Sequence, residues 1–157
     1  MLIALDNGTT ASIAVFKDDK AVVFQRVPVR SQQNYTKKKQ KITRIDWRKL
    51  EALLTPYVGA RVIMEKPVTN GFAKAVVSGA RAFESTLCIL ERLGLDDLQV
   101  VDSKEWQREI MPGIRGRDNL KAYSEQIGIK YYPEFKKQIE KHGDADSLLM
   151  GRWALGK

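Results

Sequence analysis

The spacing of apolar residues changes once along this chain, and that change restricts the fold more than any other feature. In the first 29 residues apolar positions alternate, which predicts strands at Ile3 to Leu5, Ser12 to Phe16 and Ala21 to Val29, joined by turns. After residue 45, segments with helical spacing alternate with short apolar runs. This order predicts an α/β fold with a mixed five-stranded sheet, in which three antiparallel strands precede parallel strands and helices flank the sheet.

The later elements are predicted from caps, apolar stripes and breakers. They are a helix capped by Asp46 and ending before Pro56, a strand at Val62 to Met64, a long helix with an apolar stripe from Phe72 to Leu93, a strand at Leu98 to Val101, a short helix through Trp106, a helix from Asp118 to Gly128 and a terminal helix from Ser147 to Leu155.

One segment does not fit this alternation. Residues 30–44, "RSQQNYTKKKQKITR", are strongly basic and almost free of apolar side chains, which predicts a mobile loop. With 157 residues, of which 43% are hydrophobic, the chain can bury one substantial core. We therefore expect a single domain over residues 1–157 that carries a flexible basic loop at about 30–44.

The charge balance indicates the class of partner. The chain has 27 Lys and Arg against 19 Asp and Glu, a net charge of +8. Such a field attracts polyanions, with nucleic acid as the first expectation and an acidic membrane surface as the second. No apolar run approaches the roughly 20 residues that span a bilayer, so we expect a soluble cytoplasmic protein without membrane insertion.

Four acidic residues occupy positions at which a sheet could bring them together. Asp6 and Glu65 each end an apolar strand, and Asp144 and Asp146 precede the last helix. Carboxylates are the ligands that Mg²⁺ prefers, and two such ions can activate water for attack on a phosphodiester. Each acid also has a simpler explanation, because Asp commonly forms turns and caps helices.

Four stretches of the chain together resemble a known family. "ALDNGTTASIAVF", "VIMEKP" followed by "GFAKAVVSGARAFE", "PGIRGRDNLKA" and "HGDADSLLMGRWA" are similar to the successive signatures of RuvC-type Holliday junction resolvases of the ribonuclease H-like superfamily, and the length and composition resemble members encoded by lactococcal phages. The resemblance implies a homodimer that nicks four-way and other branched DNA as a crossover junction endodeoxyribonuclease. It also implies two Mg²⁺ ions per active site, for which Mn²⁺ substitutes, no nucleotide cofactor, and a place in the host cytoplasm for a phage protein.

The resemblance assigns the metal ligands by position. Asp6 and Glu65 match the first two ligands of the family and Asp146 matches the last, whereas the position three residues before it, an Asp or His in the family, is Gly143 here. We predict Asp144 as the third ligand. Asp144 and Asp146 would point about 200° apart on a regular helix, so both can bind only if Asp144 precedes the first turn. His142 stays the alternative third ligand.

DNA contacts are predicted for basic residues in three regions and for one aromatic residue. Phe72 resembles the family's aromatic that stacks on bases near the crossover, although core packing is an equal alternative. The basic residues lie in the segment 30–44, at the start of the long helix and around the "PGIRGRD" turn, where Lys121 resembles a DNA-contacting position of the family: Arg30, Lys37, Lys38, Lys39, Lys41, Arg44, Lys74, Arg115, Arg117 and Lys121.

Other functions are compatible with parts of the pattern. The opening Asp-x-Gly-Thr-Thr also resembles the phosphate loop of sugar kinases and actin-like ATPases, but those enzymes need more than twice this length. A non-catalytic protein that binds branched nucleic acid would keep the charge without the chemistry. Cleavage of RNA in hybrids, as by ribonuclease H, would use the same acids on another substrate.

Overall fold

The computed structural model describes residues 1–33, 35, 37 and 40–156. Its strands are β1 (Leu2–Leu5), β2 (Ser12–Lys17), β3 (Lys20–Arg26), β4 (Val29–Gln33), β5 (Lys41–Ile45), β6 (Arg61–Glu65) and β7 (Leu98–Val101). Its helices are α1 (Trp47–Leu54), α2 (Ala73–Arg92), α3 (Ser103–Ile110), α4 (Arg117–Tyr131), α5 (Lys136–His142) and α6 (Asp146–Ala154), with 3-10 turns at Thr55–Tyr57 and Pro133–Phe135.

Five strands form one mixed sheet in the order β3-β2-β1-β6-β7. The pairs β1–β2 and β2–β3 are antiparallel, and β1–β6 and β6–β7 are parallel. The predicted α/β fold class, with three antiparallel strands before the parallel ones, is therefore confirmed.

The sheet is buried on both faces, because successive side chains of a strand point to opposite sides. In β1, Ile3 and Leu5 belong to one core and Leu2 and Ala4 to the other. The first core includes buried residues of α1 and α2, and the second those of α3, α5 and α6. The sheet thus holds α3 and α6 on the same side.

The segment predicted as a loop contains a β-hairpin. β4 and β5 pair antiparallel as a separate two-stranded sheet, with Arg30 opposite Arg44 and Gln32 opposite Ile42. Half-buried Val29 and buried Ile45 pack with the first core, which anchors the base of the hairpin. The expectation of a loop without strands at 30–44 was wrong, because cross-strand pairing gives these polar residues a regular structure with little burial.

The helices differ from the prediction in two places. The sequence predicts Asn70 as the cap of the long helix, but α2 begins at Ala73, directly after Phe72. Its buried residues, Ala82, Thr86, Ile89 and Leu90, all lie in its second half. The sequence analysis did not predict α5. None of the helices in the described part of the chain is both long and apolar enough to cross a membrane.

Candidate metal centre at the carboxyl end of the sheet

Asp6 and Glu65 lie side by side because of the register of two parallel strands. β1 pairs with β6 so that Leu5 is opposite Met64, and Asp6 and Glu65 are the next residues along. Neighbouring strands are about 4.8 Å apart, so the two carboxylates emerge at the same edge of the sheet. The strand-end positions that the sequence indicated therefore bring these two acids together.

The start of α6 is fixed against the same edge. Ser12 at the beginning of β2 donates a hydrogen bond to Ser147 in the first turn of α6, with 2.8 Å between the hydroxyl oxygens, and both residues are fully buried. The backbone N–H of Asp6 donates to the carbonyl of Ser12 over 3.1 Å. The end of β1, the start of β2 and the start of α6 thus form one unit.

Three acids converge at this point. Asp6, Asp144 and Asp146 each offer a carboxylate oxygen, and these oxygens lie within 4.8 Å of one another. Glu65 is not one of this close group but lies near enough to act on the charge of Asp6. An all-oxygen set of this kind fits a hard divalent cation such as Mg²⁺ better than Zn²⁺ or copper, which favour nitrogen or sulfur ligands.

A glycine lets Asp144 join the group. Gly143 ends α5 with a φ of +92°, a left-handed conformation that side chains other than glycine rarely adopt. Asp144 therefore precedes α6, which begins at Asp146, and its side chain is not constrained by helical spacing. This geometry meets the condition under which both acids can bind one ion.

His142 takes a different place. Its side chain is 6% exposed, with Nε2 3.3 Å from Oδ1 of Asp144, and its ring packs edge-on against Phe24 at 5.9 Å between centroids. The close oxygen group among the described residues does not include His142. His142 therefore contacts Asp144 through Nε2 without belonging to the group of carboxylate oxygens.

Three side chains that the sequence analysis did not connect with the acids hold them in place. Trp106, fully buried on α3, donates from Nε1 to Glu65 over 3.2 Å. Ser124, fully buried on α4, donates to Asp146 over 2.5 Å and accepts from the N–H of Ala145 over 3.0 Å. Lys121 on α4 places its Nζ 3.6 Å from Oδ2 of Asp144. Only Lys121 carried a sequence signal, and that signal was for DNA contact.

α4 reaches the acids because one residue of it has no side chain. A Cβ atom at Gly128 would overlap the Cβ of Ala145, the residue between the two aspartates. The close approach of α4 is therefore part of the geometry of the site.

Crowding of the acids changes their proton affinities. Burial raises the pKa of Asp6 well above its usual value, with Glu65 and Asp146 adding to the shift. Burial, together with Asp146, raises the pKa of Glu65 to about 7 despite the hydrogen bond from Trp106, and burial and Asp144 raise the pKa of Asp146 to about 6.

The pKa of Asp144 is shifted in the opposite direction, below its usual value. Burial acts to raise its pKa, but His142 and Lys121 outweigh burial and hold the pKa of Asp144 below its usual value. One carboxylate thus stays ionised while its neighbours resist ionisation, which is the charge pattern that a bound cation would relieve.

The predicted DNA contacts lie at several places on the surface. Arg30 and Arg44 are opposite each other on the hairpin, and no salt bridge between described residues involves either. Lys38 and Lys39 lie outside the described residues. The other predicted basic residues are exposed, Lys121 beside the acids among them: Lys37, Lys41, Lys74, Arg115, Arg117 and Lys121.

Phe72 is 90% exposed directly before α2. The alternative that it packs in the core was wrong, because Phe72 precedes the first half of α2, which has no buried residue. Contact with DNA bases stays a prediction for this side chain.

Comparison with known proteins gives a match at the level of the fold. No protein-family model and no curated protein matches the sequence. RuvC from Thermus thermophilus superposes with a TM-score of 0.56 at 8% identity, over 99% of this chain and 95% of that chain. The T. thermophilus RuvC structure in complex with Holliday junction substrate gives 0.51 at 10% identity, over 98% and 95%. The chain has a RuvC-like fold.

Proposed function

We propose that this protein is a metal-dependent, structure-selective endonuclease that resolves four-way DNA junctions and cuts other branched DNA. The main support is that carboxylate oxygens of Asp6, Asp144 and Asp146 lie within 4.8 Å of one another at one edge of the sheet, in a chain whose net charge is +8. A basic protein that concentrates acids at a single point is suited to bring a cation and a polyanion together. The RuvC-like fold supports the same function.

The residues present fit Mg²⁺, with Mn²⁺ as a substitute. Asp6, Asp144 and Asp146 would supply oxygen ligands, and Glu65 would supply a further one for a second ion. Bound Mg²⁺ would lower the pKa of a water molecule and stabilise the negative charge of the leaving oxygen. The raised pKa values of Asp6, Glu65 and Asp146 support this, because a cation offsets the repulsion that opposes their ionisation.

The side chains around the acids have positioning roles in this proposal. Trp106 and Ser124 hold Glu65 and Asp146 through one hydrogen bond each, so that the carboxylates do not need to reorient when DNA binds. The side chain of Lys121 is 48% exposed beside Asp144, where its ammonium can meet a phosphate oxygen of the strand that enters the site.

The remaining basic residues would bind the DNA backbone outside the acid site. Arg30 and Arg44 face each other on the hairpin, and like charges at directly opposite positions cost stability unless an anion lies between them. A phosphate of a duplex arm would remove that cost. Resolution of a four-way junction needs two nicks, so the proposal includes a homodimer with one acid site in each subunit.

The test is cleavage of a mobile four-way junction by the wild type and by Asp6→Asn, with Mg²⁺ and with EDTA. We expect nicking by the wild type in Mg²⁺ only, and junction binding without nicking by the variant. Asp97→Asn is a matched control, because Asp97 is exposed and precedes β7, at the opposite end of the same sheet.

Two outcomes would replace the proposal. A wild type that binds the junction and never nicks it in Mg²⁺ or Mn²⁺ would be a non-catalytic binding protein. Faster cleavage of RNA in a labelled RNA–DNA hybrid than of the junction would instead indicate an activity of the ribonuclease H type.

A further inference from the structure

A cleft separate from the acids lies between α3, the loop after it and the start of α4. The cleft has a volume of about 610 Å³, within the roughly 300–1,000 Å³ of small-molecule sites. Six of its residues divide into an exposed basic rim and a buried or half-buried apolar floor. The rim is Lys104, Arg108 and Arg115, and the floor is Met111, Ile114 and Leu120.

The rim cations are available for an anion. Among the described residues, none of the three forms a salt bridge and no acidic residue lines the cleft. Asp102, which caps α3 nearby, is paired with Lys66 at 2.7 Å. Arg108 donates from Nε to the carbonyl of Lys104 over 3.0 Å, which holds its guanidinium near the Lys104 end of the rim.

The floor offers a surface of a different kind. Met111 is 2% exposed, and Ile114 and Leu120 are half-buried against the second core. Cations above an apolar floor suit a ligand that is anionic at one end and flat and weakly polar at the other. A nucleotide has this combination, with its phosphate at the rim and its base on the floor.

The cleft borders the acid site along α4. Leu120 on its floor lies one helical turn before Ser124, on the same face of the helix, and Ser124 donates a hydrogen bond to Asp146. Lys121, the next residue after Leu120, has its Nζ 3.6 Å from Asp144. A strand whose phosphate lies at the acids can therefore place a neighbouring nucleotide in the cleft.

We propose that this cleft binds one unpaired nucleotide of the DNA strand held at the acids, an assignment that rests on the proposed function. A base inside a duplex cannot reach the floor without leaving the stack, whereas an unpaired base pays the smallest cost for doing so. The cleft would then favour branch points, where unpaired bases occur, over continuous duplex.

The test compares two single strands of equal length and charge. Fluorescence anisotropy in EDTA, where no cleavage occurs, gives the Kd for a labelled twelve-residue oligothymidylate and for an abasic strand of tetrahydrofuran units. We expect the abasic strand to bind about fivefold to tenfold more weakly, because it cannot bury a base.

Variants assign that difference to the cleft. Ile114→Ser should remove the preference for the base-bearing strand. Arg108→Gln combined with Arg115→Gln should weaken both strands alike and lower the salt dependence of binding by about two charges. The matched control is Lys17→Gln combined with Lys20→Gln, which removes two charges at the opposite end of the sheet and should leave the preference unchanged.

Three results would overturn the assignment. The first is equal Kd values of the wild type for the two strands, and the second is a preference that survives Ile114→Ser in a folded variant. The third is displacement of the oligonucleotide by free thymidine monophosphate at a concentration near the oligonucleotide's own Kd, because the cleft would then bind a free nucleotide as well as it binds the strand. The comparison with the wild type needs no variant, so it holds even if Ile114→Ser does not fold. Junction nicking without the base preference would refute the cleft alone, and the preference without nicking would refute the nuclease alone.

Discussion

Replacement of Glu65 by Gln should stabilise the metal-free protein above neutral pH while it removes a proposed metal ligand. In the folded state the pKa of Glu65 is raised from 4.5 to about 7, mainly by burial. Between these pH values the folded protein binds more protons than the unfolded chain, so stability falls as the pH rises through this window. Glutamine carries no charge to bury and can still accept the hydrogen bond from Trp106.

The magnitude follows from the pKa shift. A shift from 4.5 to about 7 corresponds to about 3 kcal/mol of lost stability at pH 8. For a domain of this size, 1 kcal/mol changes the Tm by about 2–4 °C, so the variant should melt about 6–12 °C higher than the wild type at pH 8 in EDTA. At pH 4.5 the two proteins should melt within about 2 °C of each other.

The assay is thermal unfolding of both proteins across this pH range, in EDTA and in Mg²⁺. Mg²⁺ should raise the Tm of the wild type more than that of Glu65→Gln, because only the folded wild type has the complete ligand set. Glu84→Gln, an exposed position on α2, is the control and should follow the wild type at every pH. Equal or lower Tm values for Glu65→Gln at pH 8 in EDTA would refute the electrostatic argument.

Three further predictions concern cleavage, packing and DNA binding. Asp146→Asn should lower the rate of junction nicking by more than about a hundredfold and leave the Kd measured in EDTA within about twofold, and retained nicking would contradict its role as a ligand. Gly128→Ala should lower the free energy of unfolding by about 1–3 kcal/mol and slow nicking, because the new Cβ displaces Ala145 between the aspartates. A variant with the wild-type free energy of unfolding and the wild-type nicking rate would contradict this. Arg30→Gln combined with Arg44→Gln should weaken binding to branched substrates of any sequence and reduce the salt slope by about two, whereas a loss limited to one sequence would argue against phosphate contact.

The part of the site that lies on strands could be predicted from the sequence. Asp6 and Glu65 follow apolar runs, and the rule that parallel strands end at one edge of a sheet is enough to bring them together. The partners on α3 and α4 could not be predicted in this way. Ser124 reaches Asp146 across 22 positions of sequence, and nothing near Ser124 distinguishes it from any other helical serine.

The hairpin shows a different limit of sequence patterns. Residues 30–44 have the composition of a solvated loop, yet β4 and β5 pair over five positions from Val29 with Ile45 to Gln33 with Lys41. Most of these side chains are exposed or half-buried, so the hydrophobic alternation that identifies a strand is weak there. The anchoring residues, Val29 and Ile45, stand at the two ends of the segment, where the sequence analysis assigned them to other elements or to none.

The choice between Asp144 and His142 depends on packing that begins far from either residue. Gly143 was visible in the sequence, and it fixes where α5 ends, but a left-handed turn alone could direct either neighbour towards Asp6. Two long-range contacts separate them: Phe24 on β3 packs against the imidazole ring, and Lys121 on α4 lies beside the carboxylate of Asp144. The positive charge of Lys121 favours the ionised form of the Asp144 carboxylate, and its pKa is lowered accordingly. The fold therefore brings the carboxylate of Asp144, and not the imidazole of His142, into the close group of oxygens with Asp6 and Asp146.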